Sequence, residues 1–235
     1  MASDAVLKAL QELKSGKIVL VYDADGREEE TDMVIASEFV TTAAVRILRK
    51  DAGGLICTTA DWRVQKALGL PFMTELYLGM AEQYPVMWGL MPNDIPYDVK
   101  SAFGITINHR KTFTGITDSD RALTIHEFAE LAKKALTSED GWAMREFGRS
   151  FRAPGHVHLL NTAERILEMR FGHTELATAL TIMAGLVPSA TVCEMMGDDG
   201  KALSKENARA YAKAHGLAFL EGKEVIEAWR ETERR

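Results

Sequence analysis

Short apolar runs of strand length alternate with helical patterns along most of this chain, and the alternation restricts the folds open to it. The runs are rich in β-branched residues and are followed by turn residues, which is typical of buried strands. These predicted strands are residues 18–22, 55–59, 103–108, 157–160 and 190–196. With the helical patterns between them, they predict a mixed α/β domain with helices on both faces of a sheet.

Helix boundaries are predicted from capping residues. The predicted N-caps are Ser3, Asp61 and Ser204. Thr124 followed by Glu127 has the pattern of a capping box, which predicts a helix over residues 125–136. Residues 175–186 are apolar on most sides, which predicts a buried helix. Residues 137–152 are polar and contain glycine, so we expect an exposed loop or a lid there.

Charge and cysteine content exclude several classes of protein. The net charge is −6, from 28 Lys+Arg and 34 Asp+Glu, so we expect no nucleic-acid or membrane partner. Cys57 and Cys193 form no CxxC, which disfavours a disulfide scaffold or a zinc ribbon. Without a long apolar run or a signal-peptide pattern, we expect a cytoplasmic protein. No linker divides the sequence, so we expect one domain over residues 1–235.

An acidic segment, residues 23–32 (DADGREEETD), directly follows the first predicted strand. The ends of buried strands are where α/β proteins tend to place their sites. Closely spaced carboxylates suit a hard divalent cation, and their mutual repulsion raises a carboxyl pKa toward the range useful for proton transfer. A solvated surface loop explains the same composition equally well, so the spacing alone leaves both interpretations open.

Residues 170–175 (RFGHTE) open the predicted buried helix. A helix N-terminus attracts phosphate, and Arg170 supplies a planar fork of donors for its oxygens. Thr174 is a candidate cap, and His173 is a candidate metal ligand. An ordinary capped helix with a surface arginine remains the alternative.

Two further patterns involve His156 and Glu194. Residues 154–158 (PGHVH) place two histidines on one face of a strand, which is weak support for zinc without a third ligand. Glu194 lies in an apolar strand, where a glutamate is paired, functional or at a solvent-facing end. Cys57 is by default a small core residue. Neither a P-loop nor a GxGxxG motif occurs, so nucleotide binding by these loops is not supported.

Taken together, these segments resemble the 3,4-dihydroxy-2-butanone 4-phosphate synthases of riboflavin biosynthesis. The matching motifs run in family order over nearly the whole chain. They are RExExD at residues 27–32, GLIC at 54–57, TGIT at 114–117, DRA at 120–122, PGHV at 154–157, GHTE at 172–175 and CE at 193–194. Residues 105–111 and 194–200 are typical of the stand-alone archaeal-type form. Asn108 replaces an aspartate common in bacterial relatives.

The resemblance implies a lyase that converts D-ribulose 5-phosphate into L-3,4-dihydroxy-2-butanone 4-phosphate and formate, with Mg²⁺ or Mn²⁺ as cofactor. It also implies an α+β fold, a three-layer α/β/α sandwich around a mixed β-sheet, and a homodimer with shared active sites. Another metal-dependent sugar-phosphate isomerase or aldolase is the main alternative. A non-catalytic sugar-phosphate-binding regulator is a second.

The resemblance further implies roles for individual residues. The implied metal ligands are Glu28, Glu30 and His173. The implied substrate-binding residues are Arg27, Glu28, Asp32, Arg170, Gly172, His173 and Thr174. The implied catalytic residues are His156, Glu194, Asp32 and Cys57, the last as a residue that lines the pocket. Among these, Asp32 and Glu194 are the leading acid/base candidates, and His156 is a substrate-orienting or proton-transfer group.

Overall fold

A seven-stranded mixed sheet organises the residues described by the computed structural model, which are 3–98, 100–139 and 141–233. Its strands are β1 (Val19–Tyr22), β2 (Thr31–Ala36), β3 (Cys57–Ala60), β4 (Phe103–His109), β5 (Phe151–Asn161), β6 (Ala190–Glu194) and β7 (Phe219–Glu221). Their order across the sheet is β4-β5-β3-β6-β2-β1-β7. The β1–β7 and β3–β5 pairs are parallel and the others are antiparallel.

Helices cover both faces of this sheet. They are α1 (Asp4–Lys14), α2 (Thr42–Ile47), α3 (Trp62–Leu68), α4 (Met73–Met80), α5 (Val86–Gly89), α6 (Asp118–Ala135), α7 (Trp142–Ser150), α8 (His173–Met183), α9 (Lys205–His215) and α10 (Gly222–Glu233). No helix among the described residues is long and apolar enough to cross a membrane.

Strand side chains alternate between two buried clusters, as the pleat requires. Leu20 and Met33 belong to a cluster that includes residues of α2, α3, α6, α7 and α9. Val19 and Val34 belong to a second cluster with residues of α1, α8 and α10. The sheet therefore lies between two helical layers, which confirms the expected three-layer α+β sandwich.

Three of the predicted helix caps are confirmed in the structure. The side chains of Ser3, Asp61 and Ser204 accept hydrogen bonds from first-turn backbone N–H groups of α1, α3 and α9. Each bond satisfies a donor that has no partner within the helix. These helices therefore begin where the capping residues predict.

The predicted start of α6 is wrong by about two turns. The helix begins at Asp118, and the Thr117 side chain caps it by accepting from the Asp120 N–H. Thr124 lies inside the helix, where its hydroxyl donates to Asp120 O and accepts from the His109 N–H. A threonine that bonds to the preceding turn has the same sequence signature as a cap.

The exposed loop expected at residues 137–152 is also wrong. This segment contains α7 and the beginning of β5. Ala143 is buried, and Trp142 and Phe147 pack against the cluster that includes α3 and α6. The charged side chains of the segment belong to an amphipathic helix. Its apolar stripe is narrow, so the overall composition of the segment is polar and does not indicate a helix.

Candidate active site

The candidate site lies where β2 and β6 pair beside the N-terminus of α8. Asp32 pairs directly with Glu194 across these two strands. Directly opposed residues share one face of a sheet, here the face covered by α8. Thr31 and Asp32 are the first residues of β2, so the expected acidic loop ends at Glu30 and the following strand was missed.

A cavity of about 270 Å³ opens at this point. It is lined by six of the predicted site residues, namely Glu28, Asp32, Arg170, His173, Thr174 and Glu194. The volume lies at the small end of ligand pockets, which suits a compact polar molecule better than a dinucleotide. The fold thus brings together segments that are far apart in the sequence.

His173 lies between two carboxylates. Its Nδ1 is 3.1 Å from Glu28 Oε2, and its Nε2 is 3.7 Å from Asp32 Oδ1. Both His173 and Asp32 are buried, and Glu28 is partly buried. Charged groups in such surroundings interact far more strongly than in water, so the three side chains titrate together.

The carboxyl groups of the site differ in acidity. Burial raises the pKa of Asp32 against the lowering effect of His173, and the neighbouring Glu194 and Glu28 raise it further. Burial alone would raise the pKa of Glu28, but the hydrogen bond to His173 and the nearby Arg27 hold it below its ordinary value. The pKa values of Asp32 and Glu28 are therefore shifted in opposite directions within one site.

The same environment acts on His173 and Glu30. Burial opposes the charged form of His173, but Asp32 and Glu28 outweigh it and raise the pKa of the imidazole. The pKa of Glu30 is raised by partial burial and by repulsion from Glu28 and Glu194. Glu30 therefore lies within electrostatic reach of the site, although it is not among the described residues that line the cavity.

Two arginines converge on one aspartate at the rim. Asp98 Oδ2 accepts from Arg27 Nη2 at 3.2 Å and from Arg170 Nε at 2.5 Å. Arg170 Nη1 also donates to Glu175 Oε2 at 2.5 Å. A Cβ added to Gly172 would lie within 2.7 Å of both guanidinium groups. Gly172 is therefore needed for the close approach of its backbone to the two arginines.

Glu194 is held by backbone groups that enter from the turn before β3. Its Oε2 accepts from the Leu55 N–H at 2.7 Å, and its carbonyl oxygen accepts from the Gly54 N–H at 3.0 Å. The side chain is partly buried and lines the cavity. The alternative of a strand-end glutamate that simply faces solvent does not describe this residue.

Two of the predicted catalytic residues lie outside the cavity lining. His156 is exposed on β5, two strands away from β6 in the sheet order. Cys57 is 1% exposed and belongs to the core cluster below α8, so the structure does not place its thiol at the cavity wall. Burial raises the pKa of the Cys57 thiol well above its ordinary value, as do Glu194 and Asp32. A protonated, buried thiol is a poor nucleophile.

The cap predicted at Thr174 is corrected to Gly172. The N-cap of α8 is Gly172, and no described side chain caps this helix. Thr174 lies in the first turn, where its hydroxyl is close to the cavity. Without a capping side chain, the N–H groups of His173 and Thr174 remain available to an anionic ligand, whereas the Glu175 N–H donates to the Gly172 carbonyl oxygen.

Sequence reasoning missed the contribution of a segment just before and at the start of β4, several residues of which line one side of the cavity. Tyr97, Asp98, Lys100 and Phe103 belong to this segment. The Arg27 guanidinium lies over the Tyr97 ring at 5.5 Å. No periodicity or motif marks these residues, because their importance comes from contacts with residues about 70 positions away.

One group of candidate metal-ligand atoms was found among the described residues. Single ligand atoms of Asp23, Glu28 and His173 lie within 4.8 Å of one another. Both oxygens of Asp23 are already engaged, with Oδ2 accepting from Arg27 Nη1 and the Glu28 N–H, and Oδ1 from the Glu30 N–H. Asp23 therefore shapes the acidic loop, and Glu28 and His173 are the more available ligands.

Comparison with known proteins places this geometry in context. Proteins named 3,4-dihydroxy-2-butanone 4-phosphate synthase are 50% identical over 227 residues in Methanothermobacter thermautotrophicus and 46% identical over 231 residues in Methanosarcina mazei. The first alignment covers 96% of both chains, and the second covers 97% of this chain and 92% of the relative.

A solved structure shares the fold over its full length. It is a crystal structure of a 3,4-dihydroxy-2-butanone 4-phosphate synthase in complex with two magnesium ions. It is 27% identical with a TM-score of 0.76, and the alignment covers 98% of this chain and 99% of that one. The family profile described as 3,4-dihydroxy-2-butanone 4-phosphate synthase matches residues 7–228. With this match over most of its length, the chain belongs to the 3,4-dihydroxy-2-butanone 4-phosphate synthase family.

Proposed function

We propose that this protein is a lyase that converts D-ribulose 5-phosphate into L-3,4-dihydroxy-2-butanone 4-phosphate and formate, as a cytoplasmic step of riboflavin biosynthesis. We propose that residues 1–235 act as one domain. The observation that carries the proposal is the meeting of Glu28, His173, Asp32 and Glu194 in one small cavity with Arg170 at its wall. This set combines metal ligands, proton carriers and a phosphate-binding group.

The residues present fit a divalent cation. Asp32 Oδ1 and His173 Nε2 are buried and have no hydrogen-bond partner among the described residues. A carboxylate and an imidazole offer oxygen and nitrogen donors that suit Mg²⁺ or Mn²⁺. We expect Glu28 and His173 to hold the cation and Glu30 to be a further ligand. Such a cation polarises a carbonyl and stabilises negative charge on a substrate oxygen.

Proton transfer falls to Asp32 and Glu194. The reaction requires a proton to leave a carbon next to a carbonyl, a hydroxyl to leave, the carbon skeleton to shift and formate to be released. Asp32 is buried beside His173 and lines the cavity, where its carboxyl group can accept and return a proton. The Leu55 N–H fixes Glu194 on the same face, so two carboxyl groups can serve different steps.

The phosphate group of the substrate belongs at the start of α8. Arg170 and Thr174 line the cavity, and the first turn of α8 presents the backbone N–H groups of His173 and Thr174. Gly172 leaves room for Arg27 and Arg170 to approach this turn. Both arginines retain further N–H donors after their bonds to Asp23, Asp98 and Glu175, since a guanidinium carries five.

We propose a homodimer with shared active sites to account for His156. This residue is exposed and is not among the described lining residues, so it serves the reaction by completing the cavity of a second copy. Phe113 is 93% exposed and Ile116 is 51% exposed on the loop that adjoins Asn108 and His156. Exposed apolar side chains beside a catalytic group are expected at a subunit interface.

Formate release from D-ribulose 5-phosphate with added Mg²⁺ tests the proposal. We expect stoichiometric formate and dihydroxybutanone phosphate from the wild type. A Glu28→Gln variant should lose activity, whereas Glu206→Gln, an exposed change on α9, should not. A pentose phosphate product without formate would instead identify an isomerase. Tight binding of the sugar phosphate without turnover would identify a non-catalytic binder.

A further inference from the structure

Asn108 occupies an interruption between β4 and β5. Ile107 pairs with Val157, but Asn108 pairs with Arg152, so residues 153–156 bulge out of the ladder. His156 is the last residue of this bulge. Asn108 is 3% exposed, and its side chain replaces the missing ladder partner by accepting from the His156 N–H through Oδ1 at 2.8 Å.

The orientation of the Asn108 amide follows from this bond. A backbone N–H can only donate, so the atom that faces it must be the amide oxygen. The other end of the amide is therefore the NH₂ group. It lies 3.1 Å from His156 Nδ1 and 3.5 Å from the Thr114 carbonyl oxygen. Both contacts agree with an NH₂ group that donates.

An NH₂ group has no lone pair to offer, so His156 Nδ1 must accept. An imidazole whose Nδ1 accepts carries its proton on Nε2. The Gly115 backbone lies close to this NH₂ group, because a Cβ added to Gly115 would be 2.1 Å from Asn108 Nδ2. The glycine lets this loop pack directly against the amide.

We propose that Asn108 is a positioning residue that holds His156 in the Nε2–H tautomer, so that the exposed ring edge presents a hydrogen-bond donor. The inference rests on the proposed function for the importance of His156, but the tautomer itself does not. An Nε2–H directed outward donates to a substrate oxygen and can act as a general acid. It cannot first act as a general base at that atom.

Asn108→Asp separates this role from a purely structural one. The aspartate keeps an oxygen for the His156 N–H but replaces the donor opposite Nδ1 by an acceptor. The expected result is a transfer of the ring proton to Nδ1, as in carboxylate–histidine pairs. If Asn108 only stabilises the bulge, the proton of the His156 ring stays on Nε2 in Asn108→Asp.

The experiment is a two-bond ¹H–¹⁵N correlation spectrum of protein labelled at its 6 histidines, recorded at mildly alkaline pH. Loss of one signal set in His156→Gln assigns His156. We expect Nε2–H in the wild type and Nδ1–H in Asn108→Asp. Asn207→Asp, an exposed change of the same kind on α9, should leave the His156 signals unchanged. An Nδ1–H wild type, or an unchanged tautomer in a folded Asn108→Asp, would overturn the proposal.

Kinetics then tests the consequence for turnover. Asn108→Asp should shift the pH dependence of kcat for formate release to higher pH, since a carboxylate beside Nδ1 favours the protonated imidazole, and change KM less than about twofold. An unchanged pH dependence of kcat in a folded Asn108→Asp variant would contradict the assigned role of Asn108 in setting the protonation of His156. No formate from the wild type would refute the proposed function and leave the tautomer assignment to be judged by the spectrum.

Discussion

A methyl group at Gly54 should displace the carboxylate of Glu194. The Cβ of Gly54→Ala would lie 2.4 Å from Glu194 Oε2 and 2.6 Å from the Glu194 carbonyl oxygen. Ordinary contact begins near 3.4 Å, so the carboxylate must move by about 1 Å. The carbonyl cannot give way without loss of the bond from the Gly54 N–H.

Two magnitudes follow from this displacement. Overpacking of a filled site costs about 1–3 kcal/mol. In a chain of this size each kcal/mol lowers Tm by about 2–4 °C, which gives a fall of about 2–12 °C. Misplacement of a reacting group by about 1 Å reduces turnover by roughly 10²-fold. Gly54→Ala should therefore lose far more activity than stability.

Thermal unfolding and formate release measure the two effects side by side. The matched control is Gly148→Ala in α7, where no described atom lies within 4 Å of the added Cβ. That change should preserve kcat and raise stability by about 0.5–1 kcal/mol. Glu194→Gln supplies the other reference, because Gly54→Ala should add little to the activity loss of Glu194→Gln if both act through one carboxylate. A folded Gly54→Ala variant with wild-type kcat would refute the reasoning.

Three further outcomes are expected. Arg170→Ala leaves the fully buried Glu175 without its cation and should lower the free energy of unfolding by about 3 kcal/mol in urea titrations, whereas the exposed Arg149→Ala should change it by less than about 0.5 kcal/mol. Burial lowers the pKa of His158 in the folded protein. As the pH falls below about 6.5, this histidine therefore binds a proton in the unfolded chain at a higher pH than in the folded protein. Stability should then fall with acidification by at most about 1.4 kcal/mol per pH unit, and His158→Gln should reduce this slope in pH-dependent unfolding. Glu28→Gln should weaken Mg²⁺ binding at least about 10-fold in calorimetric titrations, and unchanged affinity would contradict its assignment as a ligand.

Local signals predicted local structure well. Ser3, Asp61 and Ser204 cap their helices because each needs only its own side chain and the N–H groups that follow. Thr124 led to the wrong start for α6. Its hydroxyl donates to Asp120 O and accepts from the His109 N–H, and the sequence does not distinguish these bonds from those of a cap. The strand β2 was missed for another reason. Its first residues, Thr31 and Asp32, continue the acidic segment, so their polar composition indicates a loop where the strand has already begun.

The candidate site could be predicted only where a motif marks its residues. Motif resemblance identified Glu28, Asp32 and His173, and the fold brings them together. Asp98 was missed because its role is to accept from two arginines that lie 71 and 72 residues away, and no local pattern encodes that contact. The structure likewise explains Gly172, whose absent Cβ matters only because the side chains around it converge.

The pairing of the arginines shows how an acidic protein can hold an acidic ligand. Arg27 and Arg170 both donate to Asp98, so their charge is largely neutralised within the protein. A phosphate at the rim must use their remaining donors or displace Asp98. A divalent cation at Glu28 and His173 would offset the carboxylates that face the same cavity, so cation and phosphate binding should favour each other. Net charge sums over the whole surface, whereas the ligand responds to charges a few ångströms away, and only the fold determines which charges those are.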